Sequence, residues 1–184
     1  MTWTTEFLQI LQDESFHDVY LVGNDGIEVP CSKVFLAARS KVFKRMFSGE
    51  FQEKKDGARV PMDYPSVVLK ILVKYCYTDE LDFDDFLESA ALSDTEATIL
   101  VQLRSAAYYL EFESVYLNVT NYIGQCIFHD NELECACAIL AELTRRLENE
   151  GPFWDVLVKL ICQNPTRCLL PTQLQESKCV KYFV

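Results

Sequence analysis

The sequence has little positive charge and no long hydrophobic run. Its 28 Asp and Glu residues outnumber 17 Lys and Arg residues, which gives a net charge of -11. Nucleic acids and anionic membranes bind clustered cations, so neither is expected as a partner. Charged residues interrupt every apolar stretch before it reaches the roughly 20 residues of a membrane-spanning helix. The N-terminal segment is acidic and lacks a basic n-region, so we expect no secretory signal.

Catalytic signatures are also missing. His17 and His129 are the only histidines, and a Ser-His-Asp or Cys-His centre would need one of them beside a nucleophile. No GxSxG, Walker or GxGxxG pattern occurs. The acidic run from 79 to 85 lacks the spacing of an EF-hand, which favours a solvated loop over a calcium site. The sequence therefore predicts no enzyme, no catalytic residue and no cofactor.

Cysteine is the one reactive residue type that is plentiful. The eight cysteines are Cys31, Cys76, Cys126, Cys135, Cys137, Cys162, Cys168 and Cys179. Most lie among apolar residues, which favours reduced thiols in a cytoplasmic or nuclear protein. A zinc site built from Cys126, His129, Cys135 and Cys137 is the alternative. It lacks paired C-x2-C spacing, so we favour buried thiols and predict no metal site.

The first element of the chain is predicted to be a short amphipathic helix. Trp3, Phe7, Leu8 and Leu11 recur at helical spacing and form one apolar stripe. No neighbouring segment is an evident partner for this stripe. The pattern leaves two alternatives open, which are packing on the helix's own domain and packing against a second subunit.

A hairpin and a helix are predicted next. Val19 to Val22 reads as a strand, Asn24-Asp25-Gly26 as its turn and Ile27 to Val29 as the returning strand. Pro30 is expected to stop that strand. Ser32 is the expected N-cap of a helix whose apolar spacing continues through Phe47, with Gly49 ending it.

The remaining pattern is mostly helical. A short strand is predicted from Ala58 to Met62, and a helix opens after Pro65. Ser93 and Glu96 have the spacing of a capping box at the start of a further helix. Helical segments then follow to about residue 163. Apolar residues make up 49% of the chain, enough for a core. This order predicts an α+β domain followed by an all-helical extension.

Three segments in register closely resemble the BTB/POZ domain family. They are FHDVYLVG, then VPCSKVFLAARSKVFKRMFSGEFQE, then YPSVVLKILVKYCYTDEL. The resemblance covers about residues 6 to 128. It implies a BTB/POZ fold, in which a small β-sheet is flanked by helices, over 1–128. Residues 129–184 are similar to the BACK-type helical extension that follows many such domains, a similarity that rests on pattern and position.

The resemblance implies an adaptor that works through protein contacts. Family members homodimerise through the N-terminal helix and the first helices after the hairpin, which assigns Trp3, Phe7, Leu8 and Leu11 to the dimer interface. Many members bind cullin-3 through a hydrophobic residue followed by any residue and Glu. Phe51-Gln52-Glu53 stands at that place, and Tyr77 matches a position near the same surface. The implied function is to bring an unidentified substrate protein to a cullin-3 ubiquitin ligase.

A scaffold without ligase function is the alternative. Asp18 and Lys33 match the charged pair in the dimer groove of BTB transcription factors, where corepressors bind. The chain departs from the family at Ser32, which stands where a His usually precedes the Lys. Phe51 itself has two interpretations, as a core residue or as an exposed anchor. Its charged neighbours and the resemblance favour exposure.

Overall fold

The computed structural model describes residues 3–48, 55–83 and 93–129, with the single positions 139, 142, 143, 154, 155, 158, 159 and 162. In the described parts of the chain, six helices, one 3-10 turn and three strands follow one another. They are α1 (Trp3–Gln12), the 3-10 turn (Glu14–Phe16), β1 (Val19–Val22), β2 (Glu28–Cys31), α2 (Lys33–Arg39), α3 (Lys41–Ser48), β3 (Ala58–Pro61), α4 (Ser66–Thr78), α5 (Asp94–Tyr109) and α6 (Glu113–His129).

The three strands form one small mixed sheet in the order β2-β1-β3. The central strand β1 pairs antiparallel with β2 and parallel with β3. Alternate side chains point to opposite faces of a sheet, so one face can be entirely apolar. The buried face carries Val19, Leu21, Val29, Cys31 and Val60. The sheet and the helices together confirm the predicted α+β class.

The predicted end of the second strand is wrong. Pro30 lies inside β2, where it is paired with Tyr20 of β1. Proline cannot donate to a ladder, and it is therefore tolerated only where one side of the strand needs no partner. The strand order places β2 at an edge of the sheet, which is the tertiary fact that admits proline at this position.

The single helix predicted from Ser32 to Gly49 is also wrong. The chain forms two helices, α2 and α3, because Ser40 between them has an extended backbone with φ -125° and ψ 124°. The Ser40 hydroxyl accepts from the Phe43 amide at 3.1 Å and donates to the Leu110 carbonyl at 2.6 Å. Ser40 thus caps α3 and ties it to the end of α5. Ser32 is the N-cap of α2, as predicted, and Gly49 lies outside the described residues.

Two further helix starts agree with the sequence. Pro65 precedes α4, and the carboxylate of Asp25 in the hairpin turn accepts from the amide of Ser66 at 2.9 Å. This contact lowers the pKa of Asp25, because the hydrogen bond from Ser66 favours the charged form. Ser93 and Glu96 form the predicted capping box. The Ser93 amide donates to Glu96 Oε2 at 2.7 Å, and the Glu96 amide donates to Ser93 Oγ at 3.3 Å.

The chain divides into two compact units. The first comprises residues 1–82 with 102–118, and the second comprises 83–101 with 119–184. In the second unit Phe83 stacks on Tyr122 with ring centroids 4.1 Å apart, and Ile139 and Leu143 are buried. The predicted boundary at residue 128 stays a prediction. The helical segments predicted between about residues 130 and 163 lie mostly outside the described residues.

Candidate functional site

The candidate contact segment lies between two described ends. Phe51, Gln52 and Glu53 themselves fall outside the described residues. Helix α3 ends at Ser48, and the described chain resumes at Lys55. The described residues therefore show the surroundings of these two ends, both of which lie in the first unit.

The upstream end is held by a buried aromatic cluster. Phe43 of α3 stacks on Phe47 one turn later, with ring centroids 5.7 Å apart. Phe112, in the turn between α5 and α6, lies 6.3 Å from Phe43 and meets the ring of Tyr75 in α4 edge-on at 6.1 Å. Aromatic pairs in offset or edge-on geometry contribute about 0.5–1.5 kcal/mol beyond their burial. The end of α3 is thus packed against α4 and the α5–α6 turn.

A surface ion pair reinforces the same junction. The guanidinium of Arg45 contacts the carboxylate of Glu111 at 2.7 Å. Glu111 has a positive φ of 56°, the left-handed conformation in which α5 ends. The Ser48 hydroxyl donates to the Lys44 carbonyl at 2.6 Å and satisfies part of the last turn of α3. The last turn of α3 is therefore fixed beside the α5–α6 turn.

The downstream end is held from α2. The ammonium of Lys33 donates to the carbonyl of Lys55 at 2.8 Å and pairs with the carboxylate of Asp56 at 3.0 Å. Asp18 joins the same group, since its Oδ1 accepts from the Lys33 amide at 2.7 Å and its carbonyl accepts from the Gly57 amide at 2.8 Å. These contacts connect the start of β1, the start of α2 and the turn before β3.

Exposed aromatic residues lie near the α5–α6 turn. Tyr108 and Tyr109, at the end of α5, are 64% and 61% exposed. Tyr108 packs against Tyr116 of α6, whose hydroxyl accepts from Arg104 at 2.9 Å. Large exposed aromatic side chains are over-represented where proteins bind one another. We call Tyr108, Tyr109 and Tyr116 the tyrosine patch.

The sequence interpretation missed the tyrosine patch. In the helix predicted to begin at the Ser93 and Glu96 capping box, Ile99, Leu103, Ala106 and Leu110 recur at helical spacing and predict one apolar stripe. The positions beside that stripe received no assignment. Adjacent residues on a helix point about 100° apart, so two successive tyrosines cannot both follow a buried stripe. The Tyr108-Tyr109 pair was the available signal that large aromatic side chains leave the core at this point.

Comparisons with known proteins agree with this architecture. The model of the BTB/POZ domain family matches residues 7–126. This chain belongs to the BTB/POZ domain family. Human BTB/POZ domain-containing protein 3 is 34% identical over 143 residues, covering 74% of this chain and 27% of that protein. BTB/POZ domain-containing protein 6 of Xenopus laevis is 32% identical over 149 residues, covering 77% of this chain and 28% of that protein.

A Kelch-like relative is also similar. Kelch-like protein 3 of Danio rerio is 29% identical over 141 residues, covering 77% of this chain and 22% of that protein. The alignments with these relatives thus span about a quarter of each relative's own length. The predicted BTB/POZ fold is confirmed, and the chain contains a domain of a protein-interaction family.

Within the BTB/POZ domain, Tyr77 is an interior residue. Its side chain is 3% exposed, and its ring stacks on Phe35 of α2 with centroids 4.0 Å apart. Its hydroxyl accepts from the Ser32 amide at 2.9 Å. Burial raises the pKa of Tyr77 to about 12. Tyr77 therefore holds the start of α2 in place. Because it is buried, it would affect a partner only through the positions of Ser32 and Phe35, which it contacts.

The predicted dimer stripe is partly covered by its own domain. Helix α1 packs against α4, and Phe7 meets the edge of the Phe35 ring at 5.5 Å. The residues Phe7, Leu8 and Leu11 are half-buried, and Trp3 begins the helix. His17 Nε2 donates to the carbonyl of Leu11 at 2.9 Å and secures the end of α1. Of the two alternatives for this stripe, packing on its own domain is present, and packing against a second subunit stays a prediction.

Metal binding and membrane insertion, which the sequence disfavours, can be compared with the described residues. The described residues contain no cluster of three or more His, Cys, Asp or Glu side chains suited to a metal ion. In the same part of the chain, no helix is both long and apolar enough to cross a bilayer. Cys135 and Cys137 fall outside the described residues. Cys31 and Cys76 are buried thiols, and Cys162 is an exposed one.

Proposed function

We propose that this protein is a homodimeric BTB/POZ adaptor that binds cullin-3 and presents a substrate protein to the ubiquitin ligase. The family is that of a protein-interaction domain. The chain carries Phe51-Gln52-Glu53 at the place where the resemblance puts the cullin contact. An exposed phenylalanine can enter an apolar pocket as an anchor, and a glutamate beside it can pair with a base at the rim.

The observation that best supports this proposal is the anchoring of the segment's upstream end. The aromatic cluster of Phe43, Phe47, Phe112 and Tyr75 and the Arg45–Glu111 pair fix the last turn of α3. A binding segment that leaves a fixed helix end loses less conformational freedom when a partner binds. The exposed residues Tyr108 and Tyr109 lie three and two residues before Glu111, which pairs with Arg45 of α3, and they offer aromatic contact area at this junction.

Isothermal titration calorimetry with the N-terminal part of cullin-3 tests the proposal. The double substitution Phe51→Ala with Glu53→Ala removes the anchor and the rim charge, and we expect it to weaken binding at least about tenfold. Ile27→Ala is the matched control, because Ile27 is an exposed apolar residue in the hairpin turn. No heat of binding for the wild type, or equal affinities for wild type and double variant, would contradict the proposal.

The corepressor scaffold is the less supported alternative. It requires that Asp18 and Lys33 be available to a ligand at a groove. The structure brings the two residues together, but the side chain of Lys33 is only 12% exposed. Its ammonium already contacts Lys55 and Asp56. This arrangement leaves little of the lysine for a corepressor to contact.

A further inference from the structure

Lys33 is unusual among the lysines of a small domain because most of its side chain is covered by the protein. Lysine side chains normally keep the ammonium in water and are seldom buried. The Lys33 side chain is 12% exposed, whereas the carboxylate side chain that it meets, Asp56, is 90% exposed. The long side chain therefore spans from the first residue of α2 to the turn that precedes β3.

The contacts of Lys33 converge on one turn. Its ammonium reaches the carbonyl of Lys55 at 2.8 Å and the carboxylate of Asp56 at 3.0 Å. The Gly57 amide donates to the Asp18 carbonyl at 2.8 Å, and the Ala58 amide donates to the Lys55 carbonyl at 3.2 Å. Gly57 has a φ of +73°, which other residues rarely adopt. The turn is thus held by Lys33 at the start of α2 and by Asp18, the residue before β1. We call the contacts of Lys33 with this turn the clasp.

The turn also has a fixed place in the chain. It begins at Lys55, immediately after residues 49–54, and it leads directly into β3 at Ala58. The partner-contact segment Phe51-Gln52-Glu53 therefore has its downstream end at this clasp, while its upstream end leaves α3. When the residues on both sides of a short segment are held, less conformational freedom is lost when a partner binds that segment.

We propose that Lys33 is a positioning residue for partner binding, because it clasps the Lys55–Gly57 turn that carries the downstream end of the contact segment. Its task in this chain is to hold the protein's own backbone rather than to receive a corepressor in a groove. The effect on affinity rests on the proposed cullin-3 function. The clasp itself is independent of that function and can be measured in the isolated protein.

Lys33→Met tests the clasp, since methionine keeps most of the apolar length and removes the ammonium. We expect amide hydrogen exchange at Gly57 and Ala58, measured by NMR, to become about tenfold faster. Arg59→Met is the matched control. It removes the neighbouring Arg59–Glu28 pair, which is 2.6 Å long and joins β3 to β2, and it leaves the Lys33 contacts intact. Exchange at both amides that is as slow as in the wild type would overturn the clasp.

The second readout is affinity for the N-terminal part of cullin-3. We expect Lys33→Met to weaken binding about fivefold to tenfold at a temperature where both proteins are folded, and Arg59→Met to leave it unchanged. Asp56→Asn removes the charge of the Asp56 carboxylate but leaves the hydrogen bond from the Lys33 ammonium to the Lys55 carbonyl. It should therefore weaken cullin-3 binding by less than Lys33→Met does. Faster exchange with unchanged affinity overturns the positioning role. Absence of binding by the wild type overturns the proposed function, and the exchange rates still decide the clasp.

Discussion

At the scale of single residues, the buried ionisable groups of the BTB/POZ domain set its response to alkaline pH. Burial raises the pKa of Cys31 from 9.0 to about 12, with the negative charge of Asp18 adding to the effect. Burial likewise raises the pKa of Cys76 above its ordinary value of 9.0 and that of Tyr77 from 10.0 to about 12. In each case the folded state favours the protonated, uncharged form.

These shifts predict a loss of stability at high pH. In the unfolded chain the Cys31 thiol has its ordinary pKa of 9.0 and is half-ionised there, whereas in the folded protein its pKa of about 12 delays half-ionisation to about pH 12. The contribution to stability is therefore complete below about pH 9 and is lost as the pH rises toward 12. Cys31 alone should remove about 1 kcal/mol of the free energy of unfolding between about pH 7 and about pH 10. Urea denaturation at a series of pH values measures this loss.

The comparison that isolates the effect uses two alanine variants. Cys31→Ala should flatten the decline with pH, whatever its effect on stability near neutrality. Cys162→Ala, at an exposed thiol, should leave the slope of the wild type unchanged. If Cys31→Ala and the wild type lose stability in parallel, the buried thiol is not the source of the pH dependence.

At the scale of secondary-structure elements, the junction between α2 and α3 depends on one side chain. The Ser40 hydroxyl caps α3 and donates to the carbonyl of Leu110, which lies 70 residues farther along the chain, just after α5. The Ser40 side chain is buried, with 1% of the residue exposed. Removing it leaves a buried carbonyl without its donor and a helix without its cap. We expect Ser40→Ala to lower the free energy of unfolding by about 1–3 kcal/mol, measured by urea denaturation.

Ser48 provides the control within the same helix. Its hydroxyl donates to the Lys44 carbonyl at the exposed last turn of α3, where water can replace it. Ser48→Ala should change the free energy of unfolding by no more than about 0.5 kcal/mol. Similar losses of unfolding free energy in Ser40→Ala and Ser48→Ala would mean that the buried hydrogen bond to Leu110 stabilises the fold no more than the exposed one to Lys44.

At the scale of the whole molecule, the prediction of a homodimer can be tested at α2. Val34 is 70% exposed at the start of α2, and Phe16 is 54% exposed just after α1. The family resemblance assigns both the N-terminal helix and the first helices after the hairpin to the dimer; Val34 lies in the first of those helices, and Phe16 follows α1 by four residues. We expect multi-angle light scattering to give twice the mass of the chain for the wild type. Val34→Glu should give the mass of a monomer, because a charge would be buried in the interface.

Ile27→Glu is the control for that measurement. Ile27 is also an exposed apolar residue, 49% exposed, but it lies in the hairpin turn away from α1 and α2 in sequence. It should remain a dimer. A wild-type monomer at micromolar concentration, or a dimeric Val34→Glu, would count against an interface that includes α2.

Much of the fold followed from local patterns because local physics decides it. The capping box at Ser93 and Glu96, the Gly26 turn and the amphipathic α1 formed as predicted. Pro30 and Ser40 did not follow their local rules. Pro30 is accommodated because β2 is an edge strand, and Ser40 interrupts a helical pattern because the Leu110 carbonyl lies beside it. The edge position of β2 and the nearness of the Leu110 carbonyl both depend on residues far away in the sequence, so local patterns do not predict them.

The candidate site divides in the same way. Its residue types and order, with Phe51 and Glu53 after an apolar helix and Asp18 and Lys33 farther upstream, were readable in the sequence. The structure added that Lys33 clasps the Lys55–Gly57 turn, that Tyr77 is buried against Phe35, and that Tyr108 and Tyr109 are exposed. These are contacts between residues far apart in the chain, and spacing along the sequence does not encode their geometry.

By itself, the sequence determined the α+β class, the resemblance to the BTB/POZ family and the acidic charge that disfavours nucleic-acid partners. Periodicity, capping residues and charge are properties of neighbouring residues, and they act before any long-range contact forms. Only the tertiary structure decided which side chains are buried and which polar groups they satisfy. A lysine that a motif assigns to an open groove can instead hold a turn, because the partner of a charge is set by the fold around it.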